Sequence, residues 1–445
     1  MKEKTTGWAT TPPGERCLLL SVRRHTDDEC LVNDSLQELA RLVHALGGTV
    51  VEQQVLKYKA VQPSHYIGKG TAENLAALIE EKQCDCAIFD DEISPAQGRN
   101  LEAAFKCRVV DRTQVILDIF ARHAKTKEGM LQVELALLNY QLPRLRRLWT
   151  HLERQTGGIG IRGGPGEKQM EVDRRRIKEK ITRIQKDLKE VRRHRQELRR
   201  GRSRHGWATA SLIGYTNAGK STLLNALTEA NVEVKDALFV TLDTTVRKVE
   251  LPNHLPALIS DTVGFINKLP HHLIEAFRAT LEEVMEADVL IHVVDASCEQ
   301  VEEQISAVHR VLDELGIGGR KTIMAVNKMD TPTGALHAEG LCKMHRLAVP
   351  VSAKTGEGLP DLLALLADQL RTSLREVYLR IPFAEARVQS ALHTHGTVLE
   401  QATGLSGILM RVRLQEAQAG RYGAYEIIQA VYDEEKSKAD GEQNA

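Results

Sequence analysis

The run Gly214-Tyr215-Thr216-Asn217-Ala218-Gly219-Lys220-Ser221 fits G-x-x-x-x-G-K-[ST] and is followed by Thr222. An apolar strand pattern, Ala208 to Ile213, precedes it, and a helical pattern begins at Thr222. Strand, loop and helix in that order let backbone N–H groups converge on phosphate oxygens, with the positive end of a helix dipole behind them. In such a loop Lys220 reaches the β and γ phosphates and Ser221 ligates Mg2+. An ordinary glycine turn before a helix is the competing interpretation, and this context disfavours it.

Three further segments follow. Asp261-Thr-Val-Gly264 closes the apolar run Leu258-Ile-Ser, so Asp261 can hold a Mg2+ water while the Gly264 N–H meets a γ-phosphate. Asn327-Lys328-Met-Asp330 ends the strand pattern Thr322 to Val326. The Asp330 carboxylate can accept from guanine N1–H and N2–H2, whereas adenine presents an acceptor and would leave the charge unpaired. Ser352-Ala353-Lys354 follows Val349 to Val351 and would bring backbone N–H groups to guanine O6. Together these segments imply a GTP-hydrolysing site that uses Mg2+ and passes between GTP and GDP. A switch threonine for the metal is sought among Thr241, Thr244 and Thr245, and Thr241 is chosen. The residue after Gly264 is Phe265, which cannot orient the attacking water as a glutamine would. Asn217 then suggests a K+ ion beside the phosphates, against the plainer reading of a loop asparagine bonded to backbone. The catalytic set is therefore Lys220, Thr241, Gly264 and Asn217.

Something must hold these groups, and the chain is long enough for several modules. Its 445 residues, 42% hydrophobic, exceed one core. The expected fold class is α/β and multidomain. Residues 1–128 alternate strand and helix patterns and predict a largely parallel α/β domain. Residues 129–205 carry heptad spacing, residues 206–373 the nucleotide-binding motifs, and residues 374–445 a small α/β domain whose charged tail from Asp433 is expected to be disordered. Seven scattered cysteines form no C-x-x-C pair, which points to a reducing cytosol and away from disulfides or zinc. No stretch approaches a membrane span, so a soluble protein without membrane insertion is expected.

Lys and Arg total 60, as do Asp and Glu, yet the charge is segregated. Between Lys168 and Arg204 stand 16 basic and 6 acidic residues, a local excess of +10. Leu131, Leu135, Leu138, Leu142, Leu145, Leu148 and Leu152, then Ile177, Ile181, Ile184, Leu188, Val191 and Leu198, give each of two helices one apolar seam. An antiparallel coiled-coil arm follows, with Pro143 kinking its first helix. The connecting run, Thr156 to Gly166, is rich in glycine and forms the tip. A basic helix nearly free of aromatics suits phosphate backbone and a salt-sensitive grip on RNA. A solvated coiled-coil face is the plainer alternative.

These residues resemble the HflX GTPases. The resemblance rests on Gln155-Thr-Gly-Gly-Ile-Gly-Ile-Arg-Gly-Gly-Pro-Gly-Glu-Lys-Gln169 with Asp173-Arg-Arg-Arg176, on Tyr66-Ile-Gly-Lys-Gly70, and on Asp261-Thr-Val-Gly-Phe-Ile266 with Ala276-Phe-Arg-Ala-Thr-Leu-Glu282. It implies binding to the large ribosomal subunit and splitting of stalled or idle ribosomes under stress, with the arm and tip on rRNA. It departs at Leu242-Asp-Thr-Thr-Val-Arg247, where many members place a proline after the aspartate. A cytoplasmic monomer is expected, with a peripheral membrane fraction as a further possibility. Gly68-Lys-Gly70 could approach a second phosphate, though a basic strand-to-helix turn is the simpler account. The alternative for the whole chain is a nucleotide-gated signalling or scaffold protein whose arm binds another protein.

Overall fold

The computed structural model describes residues 14–58, 61–145, 165–204, 207–228, 245–252, 256–268, 278–371, 374–404, 406–415 and 419–442. They form two compact units: the first takes everything up to Val191 together with 263–268 and 278–281, and the second takes the remainder. Thr241 and Thr244 lie outside the described residues, as do Leu148, Leu152 and most of the glycine-rich tip.

The first unit opens with β1 (Arg16–Arg24), α1 (Glu29–Ala45), β2 (Thr49–Tyr58), α2 (Lys69–Lys82), β3 (Cys86–Phe89), α3 (Pro95–Phe105), β4 (Arg108–Asp111) and α4 (Arg112–His123). The four strands lie parallel in the order β2-β1-β3-β4. Cys17 to Val22 are all buried, as a strand covered on both faces requires. The helices start on side-chain caps: Asp28 accepts from Cys30 N, and Ser94 and Gln97 form a reciprocal capping box ahead of Pro95.

At the C-terminal edge of this sheet sits a buried charged group. Arg112 binds Glu38 and, at 2.7 Å, Asp90, while Ser35 Oγ donates to Asp90 at 2.7 Å. Lys268 reaches the same Asp90 and, at 3.2 Å, Asp91. Burial alone would raise the Asp90 carboxyl, but the Arg112 and Lys268 cations hold it below the usual carboxylate range. Arg112→Ala would remove the buried cation between Glu38 and Asp90, and a loss of about 3–5 kcal/mol of stability is expected. Urea unfolding of the variant checks this, and a shift below 1 kcal/mol, the scale of an exposed pair, would contradict it.

Two long helices follow, α5 (Lys127–Leu145) and α6 (Pro165–Arg204). Leu138, Ile184 and Leu188 are buried together, with Leu131, Leu135, Ile177 and Ile181 packed against them. Pro143 lies inside α5.

The second unit contains two sheets. The first is built from β5 (Ala208–Gly214), α7 (Lys220–Thr228), β6 (Thr245–Glu250), β7 (Pro256–Asp261), β8 (Val289–Asp295), α9 (Val301–Glu314), β9 (Thr322–Asn327), α10 (Pro332–Met344), β10 (Ala348–Pro350) and α11 (Leu359–Arg371), with α8 (Arg278–Glu286) preceding β8 in the chain. Its order is β10-β9-β8-β5-β7-β6, with only β6 antiparallel to its neighbour. Parallel strands linked through helices are what the apolar runs ending in motif residues require.

The second sheet holds β11 (Leu374–Ile381), β12 (Thr397–Thr403), β13 (Ile408–Gln415) and β14 (Glu426–Ile427), in the order β12-β13-β11-β14, with α12 (Ala386–His395) and α13 (Gln429–Glu442). The tail from Asp433, expected to be disordered, is helical to Glu442. Its polar composition concealed the anchor: Tyr432 is 1% exposed and packs against Tyr378, the ring centroids 5.2 Å apart and the planes tilted by 60°.

Candidate functional site

β5 ends beside β7 on one side and β8 on the other, at the centre of its sheet. Chain reversal there depends on two glycines. At Gly214, φ is +147° and a Cβ would stand 2.2 Å from the Val293 carbonyl oxygen; at Gly219, φ is +93° and a Cβ would stand 2.2 Å from Asn327 Nδ2. Asn217 also lies in the left-handed region, with φ 62°, and is exposed. Tyr215, Thr216 and Ala218 are buried, while Ser221 and Thr222 are half-buried at the start of α7.

Lys220 folds back over the loop, its Nζ donating to the carbonyls of Gly214 at 3.1 Å and Tyr215 at 2.8 Å. Burial pulls its ammonium down to about 8, against the opposing pull of Asp261. His292 on β8 stays neutral, pushed down to about 3 by burial first and then by His309 and Lys220. No additional positive charge therefore arises from that histidine near neutral pH.

Ser221 Oγ donates to Asp261 Oδ2 at 2.5 Å. The Thr216 hydroxyl is buried with no hydrogen-bond partner among the described residues. No cluster of three or more His, Cys, Asp or Glu side chains gathers as a metal cage among those residues. One hydroxyl and one carboxylate in contact suit a small hard cation that retains water and phosphate ligands, as Mg2+ does. The donor set fits that ion.

A single side chain joins the phosphate loop to the two remaining motifs. Asn327 is buried at the end of β9; its Nδ2 donates to Ala218 O at 2.8 Å and its Oδ1 accepts from Ala353 N at 2.9 Å. It ties the phosphate loop to the Ser352-Ala353-Lys354 turn. Asp330 Oδ1 accepts from Ser352 Oγ at 2.8 Å, and Ser352 Oγ in turn accepts from Thr355 N at 3.1 Å. Asp330 remains exposed, so its second oxygen and the adjacent backbone can face a base. Lys328, with φ 67°, pairs with Asp295 at 2.6 Å. Asp295 was missed by sequence reasoning, because only the β8–β9 register placing Asp295 opposite Asn327 reveals the pairing. Lys354 is exposed beyond the turn.

The described residues thus bring Gly214 through Thr222, Asp261, Asn327, Lys328, Asp330, Ser352 and Ala353 into one neighbourhood. Gly264 and Phe265 are buried, but within the stretch that groups with the first unit. Thr245 opens β6 opposite Asp261 in the register, and Thr241 lies outside the described residues.

Fold and site define a GTP-hydrolysing enzyme of the P-loop class, and comparison with known proteins narrows this. Family profiles match in chain order: "GTP-binding GTPase N-terminal" over residues 33–121, "GTP-binding GTPase Middle Region" over 123–202, and "50S ribosome-binding GTPase" over 209–328. A GTPase HflX from Magnetococcus marinus is 44% identical over 412 residues, spanning 92% of this chain and 94% of the relative. That from Escherichia coli is 42% identical over 383 residues, spanning 85% and 88%. A GTP-binding protein from Sulfolobus solfataricus, solved with GDP, is 22% identical with TM-score 0.41, covering 80% of this chain and 99% of that one; this overlay adds nothing to the sequence match. The chain belongs to the GTPase HflX family.

Proposed function

We propose that this GTPase binds the large ribosomal subunit through rRNA and uses its nucleotide cycle to split or recycle stalled or idle ribosomes under stress, in the cytoplasm. The observation that carries the ribosomal reading is the match of residues 209–328 to a family described as ribosome-binding, joined by the basic stretch Lys168 to Arg204 with its excess of +10.

In this reading Lys220 neutralises the β and γ phosphates, and Asp330, Ser352 and Ala353 select guanine. Mg2+, held by Ser221, Thr241 and Asp261, would supply charge neutralisation at the phosphates. Gly264 N–H meets the γ-phosphate, while Asn217 helps hold K+ beside it; equal hydrolysis rates in KCl and NaCl would remove the K+ assignment. Phe265 cannot position water, so part of the catalytic group comes from a conformational change or from the subunit. GTP favours the subunit-bound conformation and hydrolysis resets it, the work coming from differential binding of two nucleotide states. The arm grips phosphate backbone, and the glycine-rich tip enters an RNA cavity. The protein acts as a monomer, with seam residues pairing inside one chain.

Co-sedimentation with purified large subunits tests this. If six phosphates are neutralised, association weakens by about 10³-fold between 50 and 200 mM salt. Binding that ignores salt and disappears when ribosomal proteins are digested would favour a protein-binding scaffold.

A further inference from the structure

The second sheet of the second unit has two unlike faces. Val377, Leu379 and Ile381 of β11 and Met410, Val412 and Leu414 of β13 point into a core with Leu392 and Tyr422. The alternate positions form the other face. The antiparallel register sets Glu376 opposite Arg413, Tyr378 opposite Arg411 and Arg380 opposite Leu409.

An antiparallel sheet with one apolar and one polar face ordinarily leaves the polar face to solvent. Here α13 lies across it, and the cover is thin. Tyr432 is the only buried residue of that helix among those whose exposure is described, and its hydroxyl is buried without a hydrogen-bond partner there. Part-exposed ion pairs also link it to the sheet, Arg380 with Glu435 at 2.6 Å and Lys436 with Glu400 at 3.0 Å. Pairs of that kind contribute little and weaken with salt. The helix spans five acidic residues (Asp433, Glu434, Glu435, Asp440 and Glu442) and two basic ones (Lys436 and Lys438).

Beneath it the Arg411 guanidinium stands 5.8 Å from the centre of the Tyr378 ring. Glu376 binds Arg411 and, at 3.4 Å, Arg413, orienting both forks. An aromatic ring flanked by arginines on an open sheet suits an unpaired base stacked on the ring with phosphates on the guanidinium groups. A protein helix would need a continuous apolar stripe, whereas the apolar residues that the register puts on this face, Leu409, Ala402 and Ile427, are interspersed with Glu376, Arg380, Arg411 and Arg413. The Glu435 carboxylate on Arg380 occupies the place a phosphate oxygen would take.

We propose that the face bearing Tyr378, Arg380, Arg411 and Arg413 is a single-stranded RNA site, kept covered by the acidic C-terminal helix and exposed when RNA displaces that helix. Ligand and helix compete for Arg380 and for the Tyr378 ring. The site is distinct from the α6 arm, whose own RNA binding persists in either state.

The test uses the full chain and a fluorescent oligouridine of about ten nucleotides, enough to cross one small sheet. Tyr432→Ala is expected to tighten binding roughly tenfold, the scale of one exposed stacking platform. Tyr432→Phe, which keeps the ring, should bind as the unaltered chain does. Adding Arg411→Ala and Arg413→Ala to Tyr432→Ala should remove the gain while leaving the arm's contribution. No gain in Tyr432→Ala, or a gain that survives the arginine changes, overturns the proposal. Should Tyr432→Ala unfold the domain, hydrogen exchange in the unaltered chain decides. Saturating oligouridine must then speed exchange across 429–442 and slow it in β13; unchanged exchange overturns the proposal. A ribosomal protein that produces those changes when oligouridine does not would overturn the RNA assignment.

Discussion

Asp330→Asn is expected to weaken GTP binding by about 10³-fold, because two charge-assisted hydrogen bonds to guanine, each contributing about 1.5–3 kcal/mol, are lost or reversed. The amide can donate where the carboxylate only accepts, so xanthosine triphosphate, with a carbonyl in place of the 2-amino group, should bind the variant better than GTP does. Ser352 steadies one oxygen of that carboxylate at 2.8 Å. Ser352→Ala should therefore cost less, about tenfold, and affect GDP and GTP alike. Fluorescent-nucleotide titration against GTP, GDP and the xanthosine nucleotide measures all of this. Undiminished GTP affinity in Asp330→Asn would place the base elsewhere.

Lys220→Ala should lower the hydrolysis rate by about 10³-fold, the scale seen when one preorganised charge donor to a transition state is removed. Its melting temperature should not fall, since the ammonium is buried against two backbone carbonyls, and removing a buried charge offsets the lost contacts. The same residue gives GDP binding a pH dependence. The ammonium of the free protein titrates at about 8. A bound phosphate favours its charged form and raises that value. The bound state therefore holds more protons above pH 8, so affinity is level below pH 8 and falls as pH rises beyond it. Lys220→Ala should flatten that fall. Identical pH profiles for the two proteins would mean that Lys220 does not meet the phosphates.

What could be read in advance was local. The phosphate loop, Asn327-Lys-Met-Asp330 and Ser352-Ala353 each occupy a few consecutive residues at strand ends, and backbone geometry follows from such runs. The first unit's strands were legible because β1 and β3 are buried on both faces and so appear as unbroken apolar stretches. α4 was not, since Arg112 to Phe120 are all buried and a helix buried all round shows no amphipathic period. Its first residue, Arg112, reads as a surface charge until Glu38 and Asp90 are brought to it from 74 and 22 residues away. The pairing of Lys328 with Asp295 is hidden in the same way. In the C-terminal tail, a polar composition pointed to disorder, and one aromatic at Tyr432 outweighed it by meeting Tyr378.

Purified large ribosomal subunits added to the protein in potassium buffer, with GTP hydrolysis followed against ATP and against Lys220→Ala, test the central claim most directly. The account predicts strong stimulation by the subunit, with GTP alone and in the unaltered protein alone, because Phe265 stands where a water-orienting glutamine would. An unchanged rate together with no co-sedimentation would leave a GTPase whose partner is not the ribosome.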